Sequence, residues 1–283
     1  MLGAIKRTIR TAISTEETYL SMQKRTYQPV TLEEARIQVN PHFEQFSALA
    51  VRSMAMVLRE FDSRTQAIPD TDETIEDACS SMNHSFRPLT LLDFGCGVGR
   101  IMQRWAAAGH RVDGCDISQE MLGFAAADPA LGDSQFFRST GRDCGPCPPG
   151  HYDIIYSEAC LQHICVRSIR RSIFHAMAAA LKPHGMVSLQ CHYYPDHTAK
   201  TIPYPHAAWS ADNTGATTTN SGADVWVTPD HLGLVAQDFS DMFTDVQLQL
   251  CTGTPDYHGA KTEMLIITGS KSPALFKKKT LIV

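Results

Sequence analysis

The feature that most constrains the fold is a glycine-rich turn placed directly after a short apolar run. Residues 89–94 (LTLLDF) have the pattern of a buried strand, and residues 95–100 read Gly-Cys-Gly-Val-Gly-Arg. Glycines there let the chain turn tightly and let a ligand approach the backbone. A helix that follows such a turn presents unpaired amide groups, which suit a carboxylate or a phosphate. We therefore expect a ligand site at this turn.

The chain beyond this turn alternates between apolar runs of strand length and longer amphipathic stretches. Strands are predicted at 89–94, 111–116, 135–138, 152–157, 185–193, 243–250 and 262–268, and helices at 98–109, 118–127, 167–182 and 229–239. Strands separated by helices imply βαβ units and a parallel sheet. The sequence therefore predicts an α/β domain.

The residues before this domain have a different character. We predict an N-terminal helical extension and an acidic linker over 1–88, and one domain over 89–283 with a long loop insertion at 195–228. The extension contains apolar residues that recur with the 3.6-residue period of a helix: Phe43, Phe46, Ala50, Met54, Val57 and Phe61. We expect the helices of the extension to pack over the ligand cleft.

A carboxylate follows the second predicted strand. Asp116 lies nineteen residues after Gly97, a distance that in a βαβ unit puts an acid beside the ribose of a bound nucleoside. The alternative is that Asp116 caps the helix that follows it, and we favour the ribose. A phosphate-binding P-loop needs Gly-Lys-Ser/Thr, which is missing, and Arg100 stands where the dinucleotide fingerprint needs glycine.

Four segments resemble the successive motifs of class I S-adenosylmethionine-dependent methyltransferases, in the same order and spacing. They are residues 91–100 (LLDFGCGVGR), 112–122 (VDGCDISQEML), 152–164 (YDIIYSEACLQHI) and 181–185 (LKPHG). The resemblance implies a Rossmann-like α/β fold with a seven-stranded, mostly parallel sheet whose last strand is antiparallel. It also implies S-adenosyl-L-methionine as the cofactor and S-adenosyl-L-homocysteine as its product.

The resemblance also implies which residues bind the cofactor. Those predicted are Asp93, Gly95, Cys96, Gly97 and Gly99 in the first motif, Asp116, Ile117 and Met121 in the second, Asp143 after the third strand, and Ser157 and Glu158 after the fourth. One segment departs from the family pattern, which has Gly-Asp after the third strand. Here Gly141 is followed by Arg142 and then Asp143, so the acid is displaced by one residue or Arg142 replaces it.

Two histidines are candidates for the general base. His163 resembles a histidine that many family members have beside the cofactor pocket, and the alternative is a histidine that fixes its own loop. His192 ends the fifth predicted strand, where it lines an acceptor pocket or packs under the 195–228 loop. Cys191, His192, His197 and His206 match no compact zinc pattern, so no metal is expected.

The pair Cys144 and Cys147 has the spacing of a thioredoxin-like redox motif. Such a motif opens a helix after a first strand, whereas this one lies in a proline-rich turn between the third and fourth strands. We therefore expect no redox role. The nine cysteines are an odd number, and several lie in apolar stretches, so we expect reduced thiols and a cytoplasmic location. The basic residues Lys6, Arg7 and Arg10 leave a targeting segment as an alternative.

Charge limits the class of acceptor. The net charge is −5, and binding along a nucleic-acid backbone needs a basic face. No apolar run reaches the length that spans a membrane. We expect methyl transfer to an oxygen or nitrogen of a small molecule, such as a specialised metabolite or a sugar, with neither nucleic acid nor a membrane as partner and with a homodimer left open. The alternatives are a protein or nucleic-acid methyltransferase and a non-catalytic module that binds S-adenosylmethionine.

Overall fold

The computed structural model describes residues 16–39 except 18, 22 and 26, residues 54, 57–62 and 64, and residues 87–193, 202–203, 225–255 and 261–272. Phe43, Phe46 and Ala50 of the predicted N-terminal helix lie outside these residues, as do the acidic linker up to residue 86 and most of the 195–228 insertion. Residues 57–62 are helical, which agrees with the second half of the predicted helix.

The described elements follow the predicted alternation closely. The strands are β1 (Thr90–Phe94), β2 (Arg111–Asp116), β3 (Phe136–Arg138), β4 (Tyr152–Ser157), β5 (Leu181–Tyr193), β6 (Thr244–Pro255) and β7 (Lys261–Ser270). The α-helices are α1 (Leu32–Val39), α2 (Arg100–Ala107), α3 (Gln119–Ala126), α4 (Arg167–Ala180) and α5 (Leu232–Ser240). The two short strands Ile202–Pro203 and Val225–Trp226 pair with each other.

The seven strands form one sheet in the order β3-β2-β1-β4-β5-β7-β6. Strands β1 to β5 are parallel, and β7 runs antiparallel between β5 and β6. This confirms the predicted Rossmann-like sheet with an antiparallel last strand. The chain moves outward from β1 to β3 and then returns to the other side of β1 at β4. Loops diverge at such a switch point and open a crevice at the carboxyl ends of the strands.

Alternate residues of the central strands face two hydrophobic layers. On β1, Leu92 points to the layer that contains α4 and α5, whereas Leu91 points to the layer that contains α2. The second layer also includes Met54, Val57 and Phe61 of the N-terminal extension. The extension is therefore part of the core rather than a separate appendage.

A buried arginine also joins the extension to the sheet. Arg64 donates hydrogen bonds to the hydroxyls of Ser270 (2.7 Å) and Thr268 (3.0 Å) on β7.

Among the described helices, none is long and apolar enough to cross a membrane.

Candidate active site

A cavity of about 1060 Å³, part of it open to solvent, lies at the carboxyl ends of β1, β2 and β4. Its lining includes most of the residues that the sequence predicts for the cofactor: Asp93, Gly95, Cys96, Gly97, Asp116, Ile117, Met121 and Glu158. His163 lines the same cavity. The crevice at the switch point of the sheet therefore contains the predicted residues of three separate motifs.

The glycine turn lies against the wall of this cavity in a conformation that favours glycine. Gly95, Gly97 and Gly99 have φ angles of 78°, 54° and 80°. At Gly95 there is also no room for a side chain, because a Cβ would lie 2.4 Å from the sulfur of Cys160. The Gly95 and Cys96 amides both donate to the Cys115 carbonyl, at 2.7 and 3.1 Å, which ties the turn to β2.

The carboxylate of Asp116 faces the cavity and is held by backbone amides. It accepts hydrogen bonds from the N–H groups of Gly97 (2.9 Å) and Ser118 (2.8 Å). The cap of α3 is Ser118, whose hydroxyl accepts from the Met121 N–H at 3.1 Å, so the capping alternative for Asp116 is wrong. Burial raises the pKa of Asp116, and the amide hydrogen bonds oppose that shift.

Asp93, Arg100 and Glu158 place charges of both signs in the lining. Asp93 is buried, and this burial raises its pKa to about 8, while the neighbouring Tyr156 and the Arg100 guanidinium oppose the rise. Burial lowers the pKa of Arg100, and the carboxylates of Glu158 and Asp93 counteract that shift. A ligand with both an anionic and a cationic group would find partners here.

The segment after β3 divides into residues that line the cavity and one that supports them. Ser139 and Gly141 are in the lining, whereas Asp143 is not. The Asp143 carboxylate instead accepts from the Thr140 N–H (3.0 Å), the Thr140 hydroxyl (2.6 Å) and the Gly145 N–H (2.9 Å). Asp143 thus closes the turn after β3, because its side chain is already occupied by that turn.

Three further predicted residues lie outside the lining. Gly99 is set back from the cavity, where it precedes α2. The buried hydroxyl of Ser157 donates to the Phe94 carbonyl at 2.7 Å and so joins β4 to β1. His192 lies on β5, and its carbonyl accepts from the Val227 N–H at 3.0 Å.

His163 ends a short 3₁₀ helix, Leu161–His163, at the rim of the cavity. Its backbone carbonyl accepts hydrogen bonds from the Tyr19 hydroxyl and from the Gln23 amide, the latter at 3.0 Å. His163 therefore holds residues 16–27, called the N-terminal segment below, and it also lines the cavity. The carbonyl thus anchors this segment, and the imidazole stays a candidate base.

The N-terminal segment supplies lining residues that the sequence did not predict: Tyr19, Leu20, Gln23 and Tyr27. Tyr19 is buried and also accepts a hydrogen bond from the Cys165 N–H at 3.2 Å. Arg142 pairs with Glu16 at 2.6 Å and with Glu17 at 3.4 Å, which joins the N-terminal segment to the residues after β3. Arg100 also lines the cavity and was not among the predicted residues. Its position directly after the glycine turn was the one indication of this in the sequence.

No three His, Cys, Asp or Glu side chains in the described part of the chain are grouped so as to hold a metal ion.

Comparison with known proteins adds a family to this geometry. Residues 91–185 match a family model described as a methyltransferase domain. The chain is 32% identical over 123 residues to a probable 18S rRNA (guanine-N(7))-methyltransferase of Dictyostelium discoideum, an alignment that covers 40% of this chain and 40% of that protein. It is 31% identical over 100 residues to a ubiquinone biosynthesis O-methyltransferase of Hydrogenovibrio crunogenus, covering 35% of this chain and 40% of that protein. The chain thus spans about two fifths of both relatives.

A solved structure shares the fold. It is an S-adenosylmethionine-dependent methyltransferase from Methanosarcina mazei, which matches with a TM-score of 0.50 and 19% identity over 68% of this chain and 96% of that one.

The glycine turn after β1 and the carboxylate after β2 define a nucleoside-binding domain of the Rossmann-like class. Within that class, residues 91–185 match the methyltransferase-domain family, and the sheet has the fold of an S-adenosylmethionine-dependent methyltransferase. The lining fits the cofactor of that family, because the amino-acid end of S-adenosylmethionine carries one anion and one cation, and the Arg100 guanidinium and the Glu158 carboxylate offer the opposite charges.

Proposed function

We propose that this chain transfers a methyl group from S-adenosylmethionine to an oxygen or a nitrogen of a small molecule, such as a specialised metabolite or a sugar. The observation that carries the proposal is that the glycine turn, Asp116 and His163 line one cavity. When bound, the cofactor supplies a methyl group on a sulfonium that is already activated for displacement. The chain therefore contributes mainly by aligning the two reactants.

In this proposal Asp116 binds the ribose. A carboxylate has about four acceptor positions, so the oxygens that bond to Gly97 and Ser118 can still accept from ribose hydroxyls. Ile117 and Met121 offer apolar contacts to the adenine from the start of α3. Asp143 acts through the turn that it closes rather than by direct contact.

The methionine end of the cofactor lies against the glycine turn in this proposal. Because Gly95 and Gly97 have no side chains, the cofactor can approach the backbone of the turn closely. The Arg100 guanidinium is suited to the carboxylate, and Asp93 and Glu158 are suited to the ammonium group. A nearby cation favours the charged form of Asp93, so binding would lower its raised pKa.

His163 is the proposed general base. A base matters when the acceptor is a hydroxyl or a protonated amine, and an imidazole nitrogen can take that proton near neutral pH. Among the two predicted histidines, His163 lines the cavity and His192 does not. His192 stays a prediction for the acceptor side of the site.

Two considerations bear on the acceptor. The net charge of −5 disfavours a nucleic-acid backbone, and the N-terminal segment covers part of the cavity. The two curated relatives fall in different classes, since one is named for rRNA and one for ubiquinone biosynthesis. The transfer experiment below therefore also includes rRNA as an acceptor. It also tests whether the chain binds the cofactor without transferring its methyl group.

The proposed location is the cytoplasm, which agrees with the free thiols of Cys96, Cys115, Cys144, Cys147, Cys160, Cys165 and Cys191. A homodimer stays a prediction that light scattering would test.

Titration calorimetry with S-adenosylmethionine and S-adenosylhomocysteine tests the cofactor. At about 100 times Kd, either ligand should raise the free energy of unfolding by about 2.7 kcal/mol. Asp116→Ala should weaken binding, whereas Asp128→Ala should not. Asp128 is the matched control because its carboxylate accepts from the Ala130 N–H at 2.9 Å and does not line the cavity. No heat and no stabilisation with either ligand would overturn the proposal.

Transfer of labelled methyl groups tests the acceptor. The labelled cofactor is incubated with a panel of phenols, amines and sugars and, separately, with total rRNA. Label in a small molecule is expected, and label in rRNA alone would instead support the alternative. His163→Ala should keep cofactor binding and lose turnover; unchanged turnover would remove His163 as the base.

A further inference from the structure

Two cysteines that the proposed function does not use lie in the 139–147 loop, which follows β3. Cys144 is only 1% exposed and Cys147 is half-buried, and both pack into the same hydrophobic cluster. Each thiol is also the largest influence on the pKa of the other. The two sulfurs are therefore neighbours, with only two residues between them in the chain.

The turn between the two cysteines is held tightly. Gly145 has a φ angle of 66°, and its N–H donates to the Asp143 carboxylate at 2.9 Å. A Cβ at this position would lie 2.7 Å from the Arg138 carbonyl oxygen. Because the backbone is packed this closely, the loop keeps the two thiols together.

Their surroundings make the two thiols unequal. The Cys144 thiol lowers the pKa of Cys147, whereas the Cys147 thiol and burial raise the pKa of Cys144. The thiolate is the form that reacts with oxidants, and access also matters. Cys147 is therefore the reactive thiol, and Cys144 is the resolving thiol beside it.

The same loop forms one wall of the cofactor cavity. Ser139 and Gly141 line the cavity, and the Ser139 hydroxyl donates to the Asp143 carbonyl at 2.6 Å. Asp143 bonds in turn to Thr140 and Gly145. One residue thus connects the cysteine turn to the cavity wall, so a change in the turn reaches the wall through Asp143.

We propose that Cys144 and Cys147 form a reversible disulfide site, and that closing the disulfide rearranges the 139–147 loop and weakens cofactor binding. The effect on binding rests on the proposed function, whereas the disulfide and the loop rearrangement do not. This differs from a thioredoxin-like centre, because the pair opens no helix within the loop. The sequence predicted no redox role for this pair, and the proposal departs from that prediction because both thiols pack into one cluster.

With hydrogen peroxide as the oxidant, the chemistry balances in two steps. The Cys147 thiolate attacks one peroxide oxygen, so that a sulfur–oxygen bond forms, the oxygen–oxygen bond breaks, and the leaving hydroxide takes a proton to become water. The Cys144 sulfur then attacks Cys147, a disulfide bond forms, and the second water leaves. The thiols lose two electrons, and a dithiol reductant returns them.

The first measurement is the mass of the whole chain after treatment with hydrogen peroxide and alkylation of the remaining thiols. Wild type should protect two thiols without gaining oxygen. Cys147→Ser should protect none, and Cys144→Ala should gain oxygen on Cys147 but form no disulfide. The tryptic peptide that begins at Asp143 also contains Cys160 and Cys165, so the variants make the assignment. Cys115→Ala is the matched control: this thiol is buried nearby on β2, and its loss should leave the disulfide intact.

The second measurement is hydrogen exchange of the loop amides. Oxidation should speed exchange at Thr140 and Gly145, whose N–H groups bond to Asp143, and at Gly141, whose N–H bonds to Ser139 at 2.8 Å. Cys147→Ser should show no such change under the same treatment. Failure to form the disulfide, or a disulfide with unchanged exchange, would overturn the proposal.

The third measurement is titration of S-adenosylhomocysteine into reduced and oxidised protein. We expect oxidation to raise Kd about 5-fold or more, the lower end of typical coupling between sites. Cys147→Ser should keep one Kd under both conditions. A disulfide that leaves Kd unchanged would remove the proposed regulation. A reduced protein that binds no cofactor would instead count against the proposed function, and mass and exchange would still decide the disulfide.

Discussion

Gly95 carries two constraints that can be separated by experiment. Its φ of 78° costs any other residue about 1–2 kcal/mol, and a Cβ would also meet Cys160 at 2.4 Å. Gly95→Ala should therefore lower the free energy of unfolding by about 3 kcal/mol or more, since overpacking adds to strain, and should also weaken cofactor binding. Gly109→Ala is the control, because Gly109 has a φ of 85° with nothing near its Cβ position. Urea unfolding should show only the strain there; equal losses would contradict the packing argument.

Asp93 should make stability depend on pH. Its pKa is raised from 3.8 to about 8 by burial, so between these values the folded state binds a proton that the unfolded chain has lost. The stability that Asp93 contributes to the folded state is complete below about pH 4 and is lost as the pH rises through about 8. The free energy of unfolding should therefore fall with rising pH across this window in wild type, and fall less in Asp93→Asn.

Asp62→Asn is the control for this experiment. Burial raises the pKa of Asp62 to about 6, so its contribution is lost by that pH. Above about pH 6 the slope of Asp62→Asn should match wild type, whereas that of Asp93→Asn should still differ. A wild-type slope above pH 6 that Asp93→Asn shares would refute the assignment.

At the level of elements, helices α4 and α5 are joined by a buried carboxylate. Asp238 is fully buried, accepts two hydrogen bonds from Arg167 at 3.0 and 2.5 Å, and pairs with Arg171 at 2.9 Å. The arginines hold the pKa of Asp238 below its ordinary value despite burial. Asp238→Ala should lower the free energy of unfolding by about 3 kcal/mol.

The nearby pair of Arg171 and Asp241 is the control for that change. Their charged groups are 2.8 Å apart, but Asp241 is 47% exposed. Asp241→Ala should therefore cost less than about 1 kcal/mol in urea unfolding. Equal costs at the two positions would mean that burial does not set the value of these pairs.

The elements could largely be predicted because the central strands are buried on both faces. Largely apolar runs such as residues 152–157 identify the strands, and the helices between them require parallel pairing. The antiparallel direction of β7 was predicted from the family resemblance, because the residues of the strand do not indicate its direction. Strand β6 ends five residues beyond its prediction because residues 251–255 (CTGTP) have no apolar pattern that marks a strand.

The site was less predictable where side chains act through the path of a loop. Asp143 follows its family position by one residue, and only the turn shows that Thr140 and Gly145 occupy its carboxylate. Tyr19 reaches His163 across 144 residues of chain, which no local pattern can indicate. Asp116 could be predicted because a strand end and a glycine turn fix its place.

At the scale of the whole molecule, the N-terminal segment and the sheet form the cavity together. Tyr19 and Gln23 bond to the His163 carbonyl, while Glu16 bonds to Arg142 and to the Ser168 hydroxyl. The segment thus contacts three separate parts of the domain around one ligand space. A cofactor in that space would add contacts to the segment, so binding and closure should be linked.

Limited digestion with trypsin tests this link. Lys24 is half-buried and Arg25 is exposed in the segment, so cleavage there requires local opening. If only the closed form binds cofactor, S-adenosylhomocysteine at about 10 times Kd should slow cleavage by up to about tenfold. Arg142→Ala removes the bonds to Glu16 and Glu17 and should speed cleavage with and without ligand.

The control for this digestion is built into the chain. Lys271 bonds to the Leu181 carbonyl at 2.6 Å, at the amino end of β5 and away from the cavity lining. Ligand should therefore leave cleavage after Lys271 unchanged while it protects the N-terminal segment. Protection at both places would indicate a general gain in stability, and protection at neither would mean that the segment does not close over the cofactor. Protection confined to the segment would show that the N-terminal segment closes over the cavity when the cofactor binds.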